Sequence, residues 1–508
     1  MSFSHRVSDL VDASDDGLHA IGSSWERVPL GDVCDILNGF PFKSRFFNET
    51  HGVPVIRIRD VTSGKSVTLY SGEIPEGYWV EPADIVVGMD GDFNCRMWPS
   101  SRGLLNQRVC KLTPNEEFLE KKFLAYALPG YLSLINENTH SITVKHLSSK
   151  TISEIPCPLP PREEQRRIVS KLDKLYECTD RARKELSHIP SLIEHYKQAI
   201  LAAAFCGDLT AEWRLEDFDD IKADGYLKER RNSAKELRSS SGIRRDIKTS
   251  MIQRDKDLAH AVAGVCEYQP LPNSWAWIGI GEVFGVFIGA TPSRKKLEYW
   301  GGSIPWVSSG EVAFCRISST EEYISEEGLV NASTRLHPIG TVLLGMIGEG
   351  KTRGQAAILD IEACNNQNCA AIRVSEAGFP PEYVYWYLVH QYEKTRRVGA
   401  GNNQPALNKD RVQRLLFPLP PPEEAVLIVE KIETAFRWID SLSEHVCQAQ
   451  NQTTRLNQEI LRRAFQGELT LRDPNDEPAS VLLERIRADR EARPTDKRRS
   501  RNNKTATG

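Results

Sequence analysis

The 508-residue chain contains no run of about 18 apolar residues and no signal-like N-terminus, which argues against a membrane span and against secretion. It also lacks any CxxC pair. Its 11 cysteines are scattered and odd in number, so they form no disulfide framework and read as reduced cytosolic thiols. Cys364 and Cys369 offer half of a metal site, but no second half accompanies them, so no metal is expected. Methyl transfer calls for a glycine-rich cofactor loop and an (Asn/Asp)-Pro-Pro-aromatic motif. Neither is present, and Gly285–Gly289 has too few glycines in the wrong context. No sign of charge dominates, the formal net charge being −4. That does not exclude DNA, because phosphate binding needs local Lys/Arg clusters rather than a basic whole. It mildly favours base reading within a larger assembly.

What the chain does have is a long internal repeat. Residues 147–210 recur without a gap at 407–470, at a constant offset of 260. Two copies are too few for a solenoid, which needs about three, and imply two half-molecules that mimic a symmetric dimer. Each copy opens with Pro-Leu-Pro-Pro, at 158–161 and 418–421, followed by a Glu pair, a pattern suited to the first turn of a helix. Apolar residues then recur at 4-3 spacing. The first stripe includes Ile168, Leu172, Leu175, Leu186, Ile193 and Tyr196; the second includes Ile428, Ile432, Ile439, Leu442, Val446 and Leu456. Both stripes stop at a glycine, Gly207 or Gly467. Some five heptads predict two helices of about 60 Å that pair antiparallel as a coiled coil. Pro190 predicts a kink in the first.

Upstream of each helix lies a head of short strands and turns. The two heads share only anchor points: Ser24–Trp25 with Ser274–Trp275, Gly31 with Gly281, Met89 with Met346, and Asn106–Gln107 with Asn366–Gln367. The fold class expected is α+β: two mixed heads joined by two long helices, with pseudo-two-fold internal symmetry. The helices keep register while the heads diverge.

The helix start PLPPREEQRRIV at 158–169, the helix end AFCGDLT at 204–210 and the tail at 473–480 resemble the specificity (S) subunit of type I restriction–modification enzymes over roughly residues 20–490. Ala425 and Pro422 depart from the pattern that Gln165 and Arg162 follow. The resemblance implies a non-catalytic subunit whose heads are target-recognition domains, each reading one half of a split sequence in double-stranded DNA. The helices would set the spacer and dock two methyltransferase (M) subunits, and restriction/translocase (R) subunits would join them. The chain would bind no cofactor itself; S-adenosylmethionine would come with M and ATP with magnesium with R, in the cytoplasm.

The expected division runs 1–157 for the N-terminal segment and first head, 158–210 for the first long helix and 211–270 for a charged linker that carries a short helix or acts as a hinge. The second head occupies 271–417, the second long helix 418–470, and a C-terminal helix with a basic tail 471–508, the stretch 486–508 reading as disordered. Base readout uses Arg, Lys, Asn and Gln on loops. The candidates are Arg57, Arg59, Asn94, Arg96, Arg102, Lys145 and His146 in the first head, and Arg294, Lys295, Lys351, Arg353, Gln355, Asn402, Asn403 and Gln404 in the second. Asn106–Gln107 and Asn366–Gln367, recurring in both, are assigned to the fold.

Two decoys fall in the second head. Gly345–Thr352 fits the phosphate-loop pattern GxxxxGK[ST], but the residues after Lys351 read as a strand where that motif needs a helix. A strand–loop–strand hairpin is the better reading. Glu349–Lys351 mimics half of a nuclease motif, yet no Asp lies between Asn331 and Lys351 to complete it. The competing functional reading is a two-headed scaffold with protein partners.

Overall fold

The computed structural model describes residues 6–14, 21–139, 145–217, 271–348, 351–397 and 407–492. The chain divides into two compact units, Met1–Ser187 with Gln448–Gly508, and His188–Cys447. Each long helix contributes one half to each unit.

In the first unit, strand Glu26–Pro29 pairs antiparallel with Pro156–Leu159 and so closes the head just before the long helix. The main sheet has the order Cys34–Asn38, Val109–Pro114, Ile85–Gly88, Cys95–Met97. A second sheet runs Phe47–Asn48, Leu69–Tyr70, Val53–Ile56, Gly103–Leu105, Trp79–Val80. Helix Lys121–Glu137 lays Leu124, Leu128 and Tyr131 on the main sheet, in one core with Ile85, Val87 and Leu112. Ile460, Ala464 and Phe465 of the second long helix join that core, as do Leu482 and Ile486 of the C-terminal helix Ala479–Ala492.

The second unit repeats this plan. Ala276–Gly279 pairs with Leu416–Leu419. The main sheet runs Gly285–Ile288, Cys369–Arg373, Thr341–Gly345, Ala356–Leu359, with Cys315–Ile317 added at its edge. The smaller sheet has only three strands, Glu322–Ile324, Trp300–Val307 and Cys364–Asn365. The second sheet of each head contains one parallel pair, central among five strands in the first head and at the edge of three in the second: Val55 and Ile56 face Leu104 and Leu105, and Trp306 and Val307 face Cys364 and Asn365. The anchor points of the sequence therefore mark one shared topology.

The long helices are Arg162–Cys206 and Pro422–Phe465. Pro190 lies inside the first without ending it. Gly207 and Gly467 adopt φ of +87° and +74°, a left-handed conformation that stops a helix and costs glycine little. In the first unit Tyr176 Oη donates to the Asn457 carbonyl at 3.5 Å and Gln450 Nε2 to the Leu186 carbonyl at 3.4 Å. In the second, Lys197 Nζ reaches Asp440 at 2.8 Å and Lys431 Nζ donates to the Leu209 carbonyl at 2.8 Å. One number falls as the other rises, so the helix halves run antiparallel in each unit. Burial along 161–180 and 421–440 is the same residue by residue.

The seam differs from the 4-3 expectation. Ile168, Leu172, Ile428, Ile432 and Ile439 are buried, and Leu175, Leu186 and Ile193 are half-buried. Leu442 and Leu456, expected in the seam, are 49% and 50% exposed, and Tyr196 is also exposed. Contact is kept by every seventh residue, Leu172, Thr179, Leu186, Ile193 and Ile200 in one helix and Ile432, Ile439, Val446, Thr453 and Ile460 in the other. Between them the inward position passes from the third to the fourth residue of each step: Lys197 and Asn457 are partly buried where Tyr196 and Leu456 are not. A helix of 3.6 residues per turn drifts about 20° per heptad against a strict 3.5 repeat, and the apolar pattern here does not follow that drift.

A further difference concerns the ends. The C-terminal helix reaches Ala492 and buries Ile486, so part of the stretch read as disordered is helical; residues 493–508 lie outside the described residues. Of the linker, Ala211–Asp217 is a short helix, and 218–270 lie outside them too. Nine of the cysteines among the described residues are free thiols. Among the described residues no helix is long and apolar enough to cross a membrane.

Candidate nucleic-acid interface

Both heads present a hairpin from the main sheet. In the first head it joins Ile85–Gly88 to Cys95–Met97. Phe93, 1% exposed, anchors its tip at a φ of +51°, a conformation non-glycine residues seldom adopt. The buried ring fixes the tip and leaves Asn94 and Arg96 outside. Asp90 takes His146 Nδ1 at 2.6 Å and Arg108 at 3.1 Å. Lys145 is otherwise engaged: its ammonium donates to the Asn136 carbonyl and Oδ1 at 2.6 and 2.7 Å, closing the base of the loop.

In the second head the hairpin joins Thr341–Gly345 to Ala356–Leu359. Gly345 N donates to the Gln355 carbonyl and Gly354 N to the Gly345 carbonyl, both at 2.8 Å. Turn and strand follow Lys351, with no helix, so the phosphate-loop pattern lacks the helix N-terminus that would hold phosphates. The Lys351 side chain is exposed, while Tyr392 Oη donates to its carbonyl at 2.7 Å. Arg353 Nη2 donates to the Arg396 carbonyl at 2.7 Å, and Gln355 is half-buried. Asn402, Asn403 and Gln404 lie outside the described residues, as does the nuclease-like Glu349.

A second group of candidates lies on the smaller sheets. Arg57 begins a short helix with its guanidinium 5.7 Å from the centre of the Phe47 ring. Arg59 donates to Thr68 Oγ1 at 2.8 Å. Arg102 lies 3.9 Å over Trp79 and pairs with Glu81 at 2.7 Å. Arg294 lies 3.8 Å over Trp300 and pairs with Glu322, whose carboxyl it holds below the usual range. Lys295 is exposed. Two residues absent from the sequence-based candidates share these surfaces, Lys43 and Arg45, and a third, Arg108, lies beside the first hairpin; all three are exposed. The signal for Lys43 and Arg45 was present, since they follow Gly39 as Arg294 and Lys295 follow Gly289.

Asn106 and Asn366 behave as fold residues. They are 9% and 6% exposed, and Asn366 Oδ1 accepts from Asn368 N at 3.1 Å. Cys364 and Cys369 sit in separate apolar clusters, where burial pushes their thiols up to about 11 and about 12. Among the described residues no cluster of His, Cys, Asp and Glu could hold a metal ion.

Each head docks on a long helix through an aromatic pair, Tyr126 with Tyr176 at 5.4 Å in the first unit and Trp386 with Phe436 at 4.9 Å in the second. These pairs occupy equivalent positions, 126 and 386 or 176 and 436 being 260 apart. The frame is thus one design used twice.

Residues 22–191 and 272–448 match the family described as the type I restriction modification DNA specificity domain. The chain is 34% identical over 504 residues to the type I restriction enzyme EcoBI specificity subunit of Escherichia coli, covering 97% of this chain and 98% of that one. It is 24% identical to the EcoDI specificity subunit of Escherichia coli, over 74% of this chain and 78% of the other. Among solved structures, the HsdS subunit from Thermoanaerobacter tengcongensis shares the fold with a TM-score of 0.54 at 19% identity, over 88% of this chain and 98% of that one. Two matched heads, two helices in repeated register and a full-length relative make this chain a member of the type I restriction–modification specificity-subunit family, a DNA-recognition component and not a catalyst.

Proposed function

We propose that each head reads one half of a split DNA sequence and that the paired helices set the distance between the halves. The observation that carries this is the contrast within the chain: helix positions 161–180 and 421–440 bury identically, while the exposed loops of the heads differ in length and charge. A repeated frame with two unlike readers suits an asymmetric, two-part target. Base edges would be met from the hairpin tips, by Asn94 and Arg96 in one head and Lys351 in the other. Exposed Leu192, Tyr196, Trp438 and Leu442, on the helix halves of the second unit, are apolar surface for an M subunit. S-adenosylmethionine would be held by M, and ATP with magnesium by R, in a cytoplasmic complex.

The ruler is tested by length. One heptad added after Leu186 and one near Val446 keep the every-seventh seam in phase and lengthen each helix by about 10 Å. The spacer between methylated half-sites should grow by about 3 base pairs, with the bases of each half unchanged. An unchanged spacer in an active complex would show that the helices only dock M.

A further inference from the structure

The geometry points to a phosphate grip at one and the same place in both heads: the loop that follows the first strand of the main sheet, with Lys43 and Arg45 in the first head and Arg294 and Lys295 in the second. The inference rests on the DNA-reading function above and adds which residues hold the backbone instead of reading bases.

Equivalence of the two loops is structural. Each leaves its strand at a glycine pressed on the parallel strand pair. A Cβ on Gly39 would lie 2.0 Å from the Asn106 carbonyl oxygen, and one on Gly289 1.8 Å from that of Asn365. Both loops then pass through a 3-10 turn, Ser44–Phe46 or Leu297–Tyr299, before entering the smaller sheet.

Both loops rest on aromatic rings that fix them. In the first head Phe42, Phe46 and Phe47 surround Tyr70 at 4.9 to 5.9 Å. In the second, Trp306 Nε1 donates to the Ala290 carbonyl at 3.0 Å and Trp300 Nε1 to that of Ser293 at 3.3 Å. One guanidinium of each loop stands above these rings. Arg45 lies 4.8 Å over Phe46 and Arg294 3.8 Å over Trp300. A guanidinium stacked on a ring keeps its N–H edges free for an anion and gives up little further freedom on binding.

The chemistry of the ligand follows from the recurrence. Two heads that read different bases should differ at the atoms that meet bases. What they keep should meet what the half-sites have in common, and that is the phosphodiester backbone. The hairpin tips differ, as readers should. Each loop keeps one guanidinium on an aromatic ring and an exposed lysine beside it. The one inequality is Glu322, which holds Arg294 while no acid pairs with Arg45 among the described residues. Phosphate must therefore displace a carboxylate in the second head only.

The test uses the assembled complex with its M subunits and measures the salt dependence of binding to cognate and non-cognate duplexes. Lys43→Gln with Arg45→Gln should weaken binding to both duplexes by the same factor, about 10- to 100-fold at 0.1 M salt, and reduce the slope of log K against log salt by about 2. Arg294→Gln with Lys295→Gln should do the same or slightly less. Glu322→Gln should strengthen binding to both. In every variant the methylated sequence should stay as it was. A changed base in one half-site would make these residues readers and overturn the assignment; so would an unchanged slope in a selective complex. If the unaltered complex itself prefers no sequence, the two-reader function fails and the grip with it.

Discussion

The two long helices begin with the same pattern of buried and exposed positions, but they are tied down by different chemistry. At the first, the buried Gln165 side chain accepts from Glu120 N at 2.7 Å and donates to the Phe118 and Pro160 carbonyls at 3.0 and 2.9 Å, while Arg162 pairs with Glu120 at 2.5 Å. At the second, Ala425 and Pro422 occupy those places. The reason lies in the head. Glu120 precedes helix Lys121–Glu137, and its counterpart before helix Pro381–His390 is Pro380. Proline has neither the N–H that Gln165 satisfies nor the carboxylate that Arg162 meets. With Pro380 in place, a glutamine loses the donor to its side-chain oxygen and an arginine loses its carboxylate, which favours a small apolar residue at the buried position. What looks in the sequence like decay of a motif is a matched change.

A second pair of equivalent sites differs in the opposite sense. Buried Glu424 accepts from Thr210 Oγ1 at 2.7 Å, Arg214 at 2.5 Å and Trp275 Nε1 at 2.8 Å. Its counterpart Glu164 has Trp25, but its Oε2 and the hydroxyl of Thr470 are buried without a partner among the described residues. Burial accordingly pushes the Glu164 carboxyl up. The second unit has a completed network where the first has an open one.

The largest effect expected from this contrast is at Glu424. Glu424→Gln strands Arg214 in a nearly closed site and should cost about 3 kcal/mol or more. Glu164→Gln removes a charge that burial already disfavours, so it should be neutral or stabilising near pH 7. Urea unfolding of both variants checks this; equal losses would erase the distinction. Next comes acid. His337 is 1% exposed, and burial together with neighbouring Arg373 lowers it to about 3. The unfolded chain takes that proton near pH 6.5 and the folded one only near 3, so stability falls as pH drops through this window. Between pH 6.5 and 5 the loss is about 2 kcal/mol. The described histidines of the first unit, His51 and His146, are exposed, so Trp fluorescence with hydrogen exchange should show the second unit opening first.

Smaller effects separate the helix starts and the seam. Gln165→Ala should cost about 1–3 kcal/mol through three lost hydrogen bonds. The reverse change Ala425→Gln should also destabilise, since Ala425 is fully buried and Pro380 offers the amide no donor. On the seam, Ile439→Ala should cost about 2–4 kcal/mol, whereas Leu442→Ala should stay within about 0.5 kcal/mol because half of that side chain is exposed. Thermal melts of the two would show whether the seam runs through every seventh residue.

The repeat made the frame legible from sequence alone, because helix periodicity and the glycine stops are local signals. The hairpin at Gly345–Thr352 was legible for the same reason: AAIL after Gln355 reads as a strand. Leu442 and Leu456 were misplaced because an apolar residue one position off the contact line still satisfies a heptad count, and the inward choice depends on the partner helix. Lys145 and Arg353 could not be sorted from free cations, since the carbonyls they bind are brought up by the fold from Asn136 and Arg396. Lys43 and Arg45 were passed over because the two loops align only once Gly39 and Gly289 are seen on the same strand pair.

The central claim is that the two heads are separate readers on one repeated frame. Exchanging residues 280–400 for the head of another specificity subunit, and mapping methylation by the complex on genomic DNA, tests it most directly. The account predicts that one half of the methylated sequence changes while the other half and the spacer remain. A change in both halves, or in the spacer alone, would contradict it.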